Sequence, residues 1–192
     1  MKLIFATQNQ HKFNEVQQAI GNTVKLVSLK DLHFFEELPE THVTLKENAF
    51  EKAEFIFKRF MADCFSEDTG LEVEALNNEP GVFSARYAGE KKKSEDNIQL
   101  LLRKMHGMQN RNARFRTVIC LIKESQKHFF EGIINGRIIE ANQGNSGFGY
   151  DPVFIPEGMN MTFAEMSLAE KNALSHRAKA ISAMKHFLKL NG

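Results

Sequence analysis

The chain has 192 residues, of which 42% are hydrophobic and 26% are charged, as is typical of soluble globular proteins. The net charge is only +1, so no overall field would attract nucleic acid. Intrinsic disorder and a disulfide-stapled miniprotein are excluded, and no apolar run approaches the ~20 residues of a membrane helix. We expect a cytoplasmic protein without a signal peptide, in which Cys64 and Cys120 are free thiols.

The first predicted elements form a β-α-β unit with parallel strands. A short apolar strand over 2–6 is followed by a polar turn over Thr7–Lys12 and by an amphipathic helix. The second strand is predicted over 24–29. A glutamate-rich loop over 30–43 then leads to a helix that begins at the capping box Thr44-Leu-Lys-Glu47.

The middle of the chain alternates short strands and turns. A strand over 62–66 is predicted to end in a turn at Glu67-Asp68-Thr69-Gly70. A half-exposed strand over 71–76, a turn over 77–81 and a helix over 94–105 follow.

Two long strands, over 114–123 and 128–140, precede a glycine-rich segment over 144–152. A second capping box, Ser167-Leu-Ala-Glu170, comes before a terminal helix. These elements predict an α/β (α+β) protein with a mixed sheet, forming a single domain over 1–192.

Several common catalytic motifs are absent. The sequence contains no GxxxxGK[ST] loop, no HExxH zinc motif and no GxSxG nucleophile elbow. Four polar clusters therefore carry the functional prediction.

The first two clusters favour a metal-bound polyphosphate. In the first, Thr7-x-Asn9-x-x-Lys12, a strand-to-helix turn directs backbone N–H groups and a lysine at one spot, which suits a phosphate. In the second, the adjacent acids Glu67 and Asp68 suit Mg²⁺, with Glu40 as a further ligand. A solvated polar turn and a simple β-turn are the alternatives.

The other two clusters favour a planar ligand. Glycines in the segment Gly144–Asp151 free the backbone for close approach, and Phe148 can stack on a ring whose edge Asp151 can hydrogen-bond. Lys171 and the run Ser175-His176-Arg177 add donors near the terminal helix. A flexible hairpin and a solvated helix start are the alternatives. The basic residues between 91 and 116 are interpreted as a solvated face.

Taken in order, these segments resemble the inosine triphosphate pyrophosphatase family. The resemblance runs from residue 6 to residue 177, and its most specific stretches are Ser84-Ala-Arg-Tyr-Ala-Gly89 and Gly147-Phe-Gly-Tyr-Asp-Pro152. It implies an elongated mixed sheet flanked by helices, with two lobes and a central active-site cleft. It also implies a homodimer, a requirement for Mg²⁺, and hydrolysis of ITP, dITP and XTP to the monophosphate and pyrophosphate. The charge balance and the lack of a long apolar run predict no nucleic-acid or membrane partner.

The resemblance also assigns site residues. Glu40 and Asp68 would hold the metal, and Asp68 would be the general base. The triphosphate would be bound by Thr7, Gln8, Asn9, Gln10, His11 and Lys12, assisted by Lys52 and Thr69. The purine would be bound by Phe148, Gly149, Tyr150, Asp151, Lys171, His176 and Arg177.

Selectivity follows from the base. Hypoxanthine and xanthine present a carbonyl at C6 where adenine presents an amine, so donors such as backbone N–H groups or Arg177 would be left unpaired against adenine. One departure is Glu67, where the family usually has Asp. It motivates the alternative of a non-catalytic nucleotide-binding module, and a nucleic-acid-binding protein is a more distant alternative.

Overall fold

A seven-stranded mixed sheet organises the chain. The computed structural model describes residues 1–21 and 24–190. Its strands are β1 (Lys2–Phe5), β2 (Lys25–Ser28), β3 (Cys64–Val73), β4 (Glu79–Gly81), β5 (Asn112–Lys123), β6 (Gln126–Ile138) and β7 (Phe154–Pro156). Its helices are α1 (Gln10–Ile20), α2 (Leu45–Phe60), α3 (Ser94–Lys104), α4 (Leu168–Leu174) and α5 (His176–Leu190).

The strand order is β2-β1-β3-β5-β6-β7, with β4 paired to β3. Strand β1 pairs in parallel with both β2 and β3, whereas β4 and β7 pair antiparallel with β3 and β6. The predicted mixed sheet, the opening β-α-β unit and the α/β class are therefore confirmed.

The chain divides into two compact units. Unit 1 comprises Met1–Asp68, Thr117–Gly132 and the chain from His176 onward, and unit 2 comprises Thr69–Arg116 and Ile133–Ser175. The prediction of a single domain stays a prediction.

Alternating side chains of β1 build two cores in unit 1, because successive residues of a strand point to opposite faces. Leu3 and Phe5 pack with residues of α1 and α5, whereas Ile4 packs with residues of α2 such as Ala53 and Ile56. In unit 2 one core joins α3 to the sheet, through side chains that include Leu71, Leu101, Phe115, Phe154 and Phe163.

Helix ends follow the predicted capping residues. Thr44 accepts a hydrogen bond from the Glu47 N–H at 3.1 Å and begins α2, and Ser167 forms a full capping box with Glu170 at α4. Helix α4 ends at Ser175, which has extended backbone, so Lys171 and Ser175 do not share a continuous helix with the terminal segment.

The predicted turn at Glu67–Gly70 is wrong, because β3 runs unbroken from Cys64 to Val73. Acidic residues usually lie in exposed turns because burying an unpaired charge is costly. Here the buried carboxylates of Glu67 and Asp68 pair with cations, so the strand can continue through them. Within unit 2, a Cβ on Gly70 would lie 2.5 Å from the carbonyl oxygen of Gly81, so glycine lets β4 pack here. The segment read as a turn over 77–81 therefore includes strand β4.

The cysteines are confirmed as free, buried thiols on neighbouring strands of unit 1. Burial raises the pKa of both Cys64 and Cys120 to about 12, so both stay protonated and unreactive at neutral pH. Within the described ranges, none of the helices is both long and apolar enough to cross a membrane.

Candidate active site

The polar turn after β1 forms the N-terminus of α1. The Thr7 hydroxyl accepts a hydrogen bond from the Asn9 N–H at 3.2 Å, and the Asn9 side chain accepts one from the Lys12 N–H at 3.2 Å. Asn9 thereby caps the helix and fixes Lys12 in its first turn. The positive end of the helix dipole and one ammonium group meet here, an arrangement that suits an anion.

Lys12 also contacts a buried network of charged residues. Arg177 donates from Nε and Nη2 to the two carboxylate oxygens of Glu67, each at 2.8 Å, and from Nη1 to Glu15. The Lys12 ammonium lies 3.2 Å from Glu67 Oε1, with 17% of the lysine side chain exposed. Glu67 thus joins the buried guanidinium of α5 to the more exposed ammonium of α1.

Opposite charges keep this network ionised despite its burial. Burial alone would raise the pKa of Glu67, but Arg177 and then Lys12 outweigh that effect and hold the pKa at about 2. Burial would likewise lower the pKa of Arg177, yet Glu67 and Glu15 raise it above its usual value. Glu67 is therefore a structural anion that orients cations.

A second cluster in unit 1 places Lys52 between two carboxylates. Its ammonium donates to Glu40 Oε1 at 2.6 Å and to Asp68 Oδ1 at 3.2 Å. Asn48, one turn earlier on α2, donates to Asp68 Oδ2 at 3.3 Å and accepts from the His42 N–H at 2.9 Å. The pKa of Lys52 is raised, because the attraction of Asp68 and Glu40 outweighs the opposing effect of burial.

The oxygen atoms of Glu40 and Asp68 suit a magnesium ion. Both carboxylates converge on the same ammonium group, and carboxylate oxygens are the hard donors that Mg²⁺ prefers. No group of three or more His, Cys, Asp or Glu side chains with metal-binding geometry occurs in the described part of the chain. Two carboxylates completed by phosphate and water oxygens are a usual Mg²⁺ environment.

In unit 2 the glycine-rich loop closes around a buried carboxylate. Asp151 Oδ2 accepts from the Phe148 N–H at 2.8 Å and from the Lys171 ammonium at 2.6 Å. The same ammonium lies 5.0 Å from the centre of the half-buried Phe148 ring. Gly147 has φ +76°, and a Cβ there would lie 2.1 Å from Asp151 Oδ2, so only glycine permits this approach. The predicted cluster of aromatic ring, acid and lysine is therefore assembled.

Tyr150, which is predicted to bind the purine, anchors the glycine-rich loop to the stretch 84–89. It is buried and donates from its hydroxyl to the Ser84 carbonyl oxygen at 2.9 Å. Asn97 donates to the Ala85 carbonyl oxygen at 3.0 Å and accepts from the Ala88 N–H at 2.7 Å. The stretch 84–89, which carries the most specific resemblance, is thus fixed from two sides within unit 2.

The other predicted residues lie in varied places. Gln8 donates to the carbonyl oxygen of Glu36 at 2.8 Å, and Gln10 donates to Asn14 at 2.9 Å. Positions of the remaining predicted residues differ in burial: His11 is exposed, Thr69 and Gly149 are half-buried, and His176 is buried in unit 1.

Sequence reasoning did not select Glu15 and Asn48 as site residues. Both are buried polar residues that contact predicted site residues. Their spacing in the sequence could have identified them, because residues three or four positions apart are neighbours on a helix. Glu15 follows Lys12 by three positions, and Asn48 precedes Lys52 by four.

The family model described as the Ham1 family matches residues 3–187. The chain belongs to the Ham1 family. The family predicted from the sequence motifs is thereby confirmed.

Relatives of this Ham1-family chain are similar over nearly their whole length. A protein of Flavobacterium psychrophilum named dITP/XTP pyrophosphatase is 48% identical over 98% of this chain and 100% of its own. A protein of the same name from Porphyromonas gingivalis is 51% identical, with 97% of each chain covered. The solved structure of the Staphylococcus aureus Ham1 protein is 36% identical, covers 100% of both chains and has a TM-score of 0.89.

Proposed function

We propose that this protein is a magnesium-dependent hydrolase that converts ITP, dITP and XTP to the nucleoside monophosphate and pyrophosphate. The observation that carries the proposal is the buried Asp68 carboxylate, held by Asn48 and Lys52 in the unit that also presents Lys12 at a helix N-terminus. The relatives' names, dITP/XTP pyrophosphatase, support the same substrates. Such activity would keep deaminated purines out of DNA and RNA.

Within unit 1 the proposed roles follow from the contacts. Lys12 and the N-terminus of α1 bind phosphate oxygens. Asp68 accepts the proton of the attacking water, and Asn48 orients the carboxylate by donating to Oδ2. Lys52 assists at the phosphates. Thr69, a residue of unit 2, is proposed to do the same.

Magnesium fits Glu40 and Asp68, because two converging carboxylates leave coordination positions for phosphate oxygens. When bound, the ion supplies charge stabilisation to the reacting phosphate. The charges of the site residues also favour a bound cation. Each cation of the two clusters already contacts a carboxylate, so a triphosphate of roughly four negative charges needs a further positive charge.

The glycine-rich loop supplies proposed contacts to the base. The Phe148 ring stacks on the purine, and the fixed Asp151 and Lys171 bind its edge. The C6 carbonyl would be bound by backbone N–H groups or by Arg177, whose Nε and both terminal nitrogens also donate to Glu67 and Glu15.

The Glu67 departure does not favour a non-catalytic binding module. Its carboxylate orients Arg177 and Lys12, so the longer side chain performs an electrostatic task apart from that of Asp68. The homodimer, the cytoplasmic location and the absence of nucleic-acid partners stay predictions.

A pyrophosphate-release assay over ITP, dITP, XTP, ATP and GTP, with and without Mg²⁺, tests the proposal. We expect rapid release from the first three nucleotides with Mg²⁺ and much slower release from ATP and GTP. Equal rates on ATP and ITP would contradict the selectivity, and binding without release would favour the non-catalytic module.

A further inference from the structure

The two ion clusters around Arg177 and Lys52 together contain more carboxylates than cations. Three cations face four carboxylates in the two clusters: Lys12, Lys52 and Arg177 against Glu15, Glu40, Glu67 and Asp68. The network around Arg177 is balanced, since two cations meet two anions. The excess negative charge therefore belongs to the cluster of Lys52, Glu40 and Asp68.

Lys52 is held firmly between these two acids. Only 4% of its side chain is exposed, and its position on α2 lies beside the buried Ala49 and Ala53. The ammonium hydrogen-bonds to one oxygen of each carboxylate, at 2.6 Å to Glu40 and 3.2 Å to Asp68. A single positive charge thus bridges the pair that the proposed function assigns to magnesium.

We propose that Lys52 is a built-in counter-ion that occupies the position of the divalent cation and competes with it for Glu40 and Asp68. This inference rests on the proposed function only for the identity of the metal ligands. Two like charges at close quarters repel, so the ammonium keeps the carboxylates together before a cation arrives. Metal binding then frees the ammonium for another anion, such as a phosphate oxygen of the substrate.

Competition by Lys52 and assistance by Lys52 predict opposite changes in divalent-cation affinity when the lysine charge is removed. If Lys52 competes, removing its charge strengthens divalent-cation binding, because the acids lose their internal partner. If Lys52 instead only supports the geometry of the site, its removal weakens binding.

The decisive experiment measures Mn²⁺ binding to the nucleotide-free protein by electron paramagnetic resonance. Lys52→Met, which keeps the length of the side chain without its charge, should bind Mn²⁺ between about tenfold and a thousandfold more tightly than wild type. Lys12→Met is the matched control, because Lys12 contacts Glu67 and its loss should leave Mn²⁺ affinity within about threefold. Unchanged or weaker binding by Lys52→Met would overturn the proposal.

Wild-type crystals provide a second test should Lys52→Met fail to fold. They are soaked in Mn²⁺ above its measured dissociation constant, without nucleotide. The Lys52 ammonium should leave at least one of the two carboxylates when the ion binds. An ion bound to Glu40 and Asp68 with both lysine contacts intact would contradict competition.

Neither test requires turnover, so the two proposals can fail separately. Tighter Mn²⁺ binding by Lys52→Met in a protein that does not hydrolyse ITP would refute the proposed function alone. Unchanged binding in a protein that hydrolyses ITP would refute competition alone.

Discussion

Replacing Glu67 with glutamine removes one buried charge while preserving the shape of the side chain. In the wild-type protein this carboxylate is 1% exposed and accepts two 2.8 Å hydrogen bonds from Arg177. Its pKa lies at about 2, against an ordinary value of 4.5. Glu67→Gln therefore leaves the buried guanidinium short of one negative charge.

The pKa shift gives the expected magnitude. At about 1.4 kcal/mol per pKa unit, the interval between the two values corresponds to about 3 kcal/mol of unfolding free energy. Because the folded-state pKa is the lower one, this contribution is complete above pH 4.5 and is lost as the pH falls towards 2. The stability difference between wild type and Glu67→Gln should shrink over the same interval.

Urea unfolding at about pH 7 and about pH 3 measures that difference. The control is Glu54→Gln, whose carboxylate pairs with Lys58 on an exposed face of α2 and should change stability by less than about 0.5 kcal/mol. A difference for Glu67→Gln that is small at neutral pH, or that does not vary with pH, would refute the reasoning.

Two glycine substitutions, one in each unit, test close approaches, and a third is their control. Gly132→Ala places a Cβ 2.0 Å from the His176 carbonyl oxygen, so we expect a loss of about 2 kcal/mol or more in thermal unfolding. Gly107→Ala, with φ +74° and no atom within 4 Å, should lose only about 1 kcal/mol, and equal losses would contradict the steric argument. Gly147→Ala should displace the Asp151 carboxylate and raise the KM for ITP about tenfold in steady-state kinetics, and an unchanged KM would remove this loop from base binding.

Local parts of the fold were predictable because their signals lie close together in sequence. The capping residue Thr44 begins α2 as predicted, and Ser167 begins α4, a short helix separate from the terminal helix. The polar turn before Lys12 likewise lies at a helix N-terminus, since β1 and α1 follow each other directly. In each case short-range hydrogen bonding decides the structure.

The buried network could not be predicted in the same way. Arg177 and Glu15 are 162 positions apart, so only the folded chain brings them together. Acidic residues are rarely buried in a strand, which made Glu67 and Asp68 look like a turn. Their partners, Arg177 and Lys52, lie on α5 and α2. The sequence of the strand does not indicate which helices contact it.

The central claim is that Asp68 accepts the proton of the water that attacks the nucleotide. The most direct measurement is the single-turnover rate of pyrophosphate release from saturating ITP with Mg²⁺ for Asp68→Asn, compared with Asp63→Asn. Asp63 accepts a backbone N–H from Glu124, which asparagine can also do, so that control should keep its rate. Asp68→Asn should lose about 10²–10⁴-fold of this rate. A rate near that of wild type would contradict the claim.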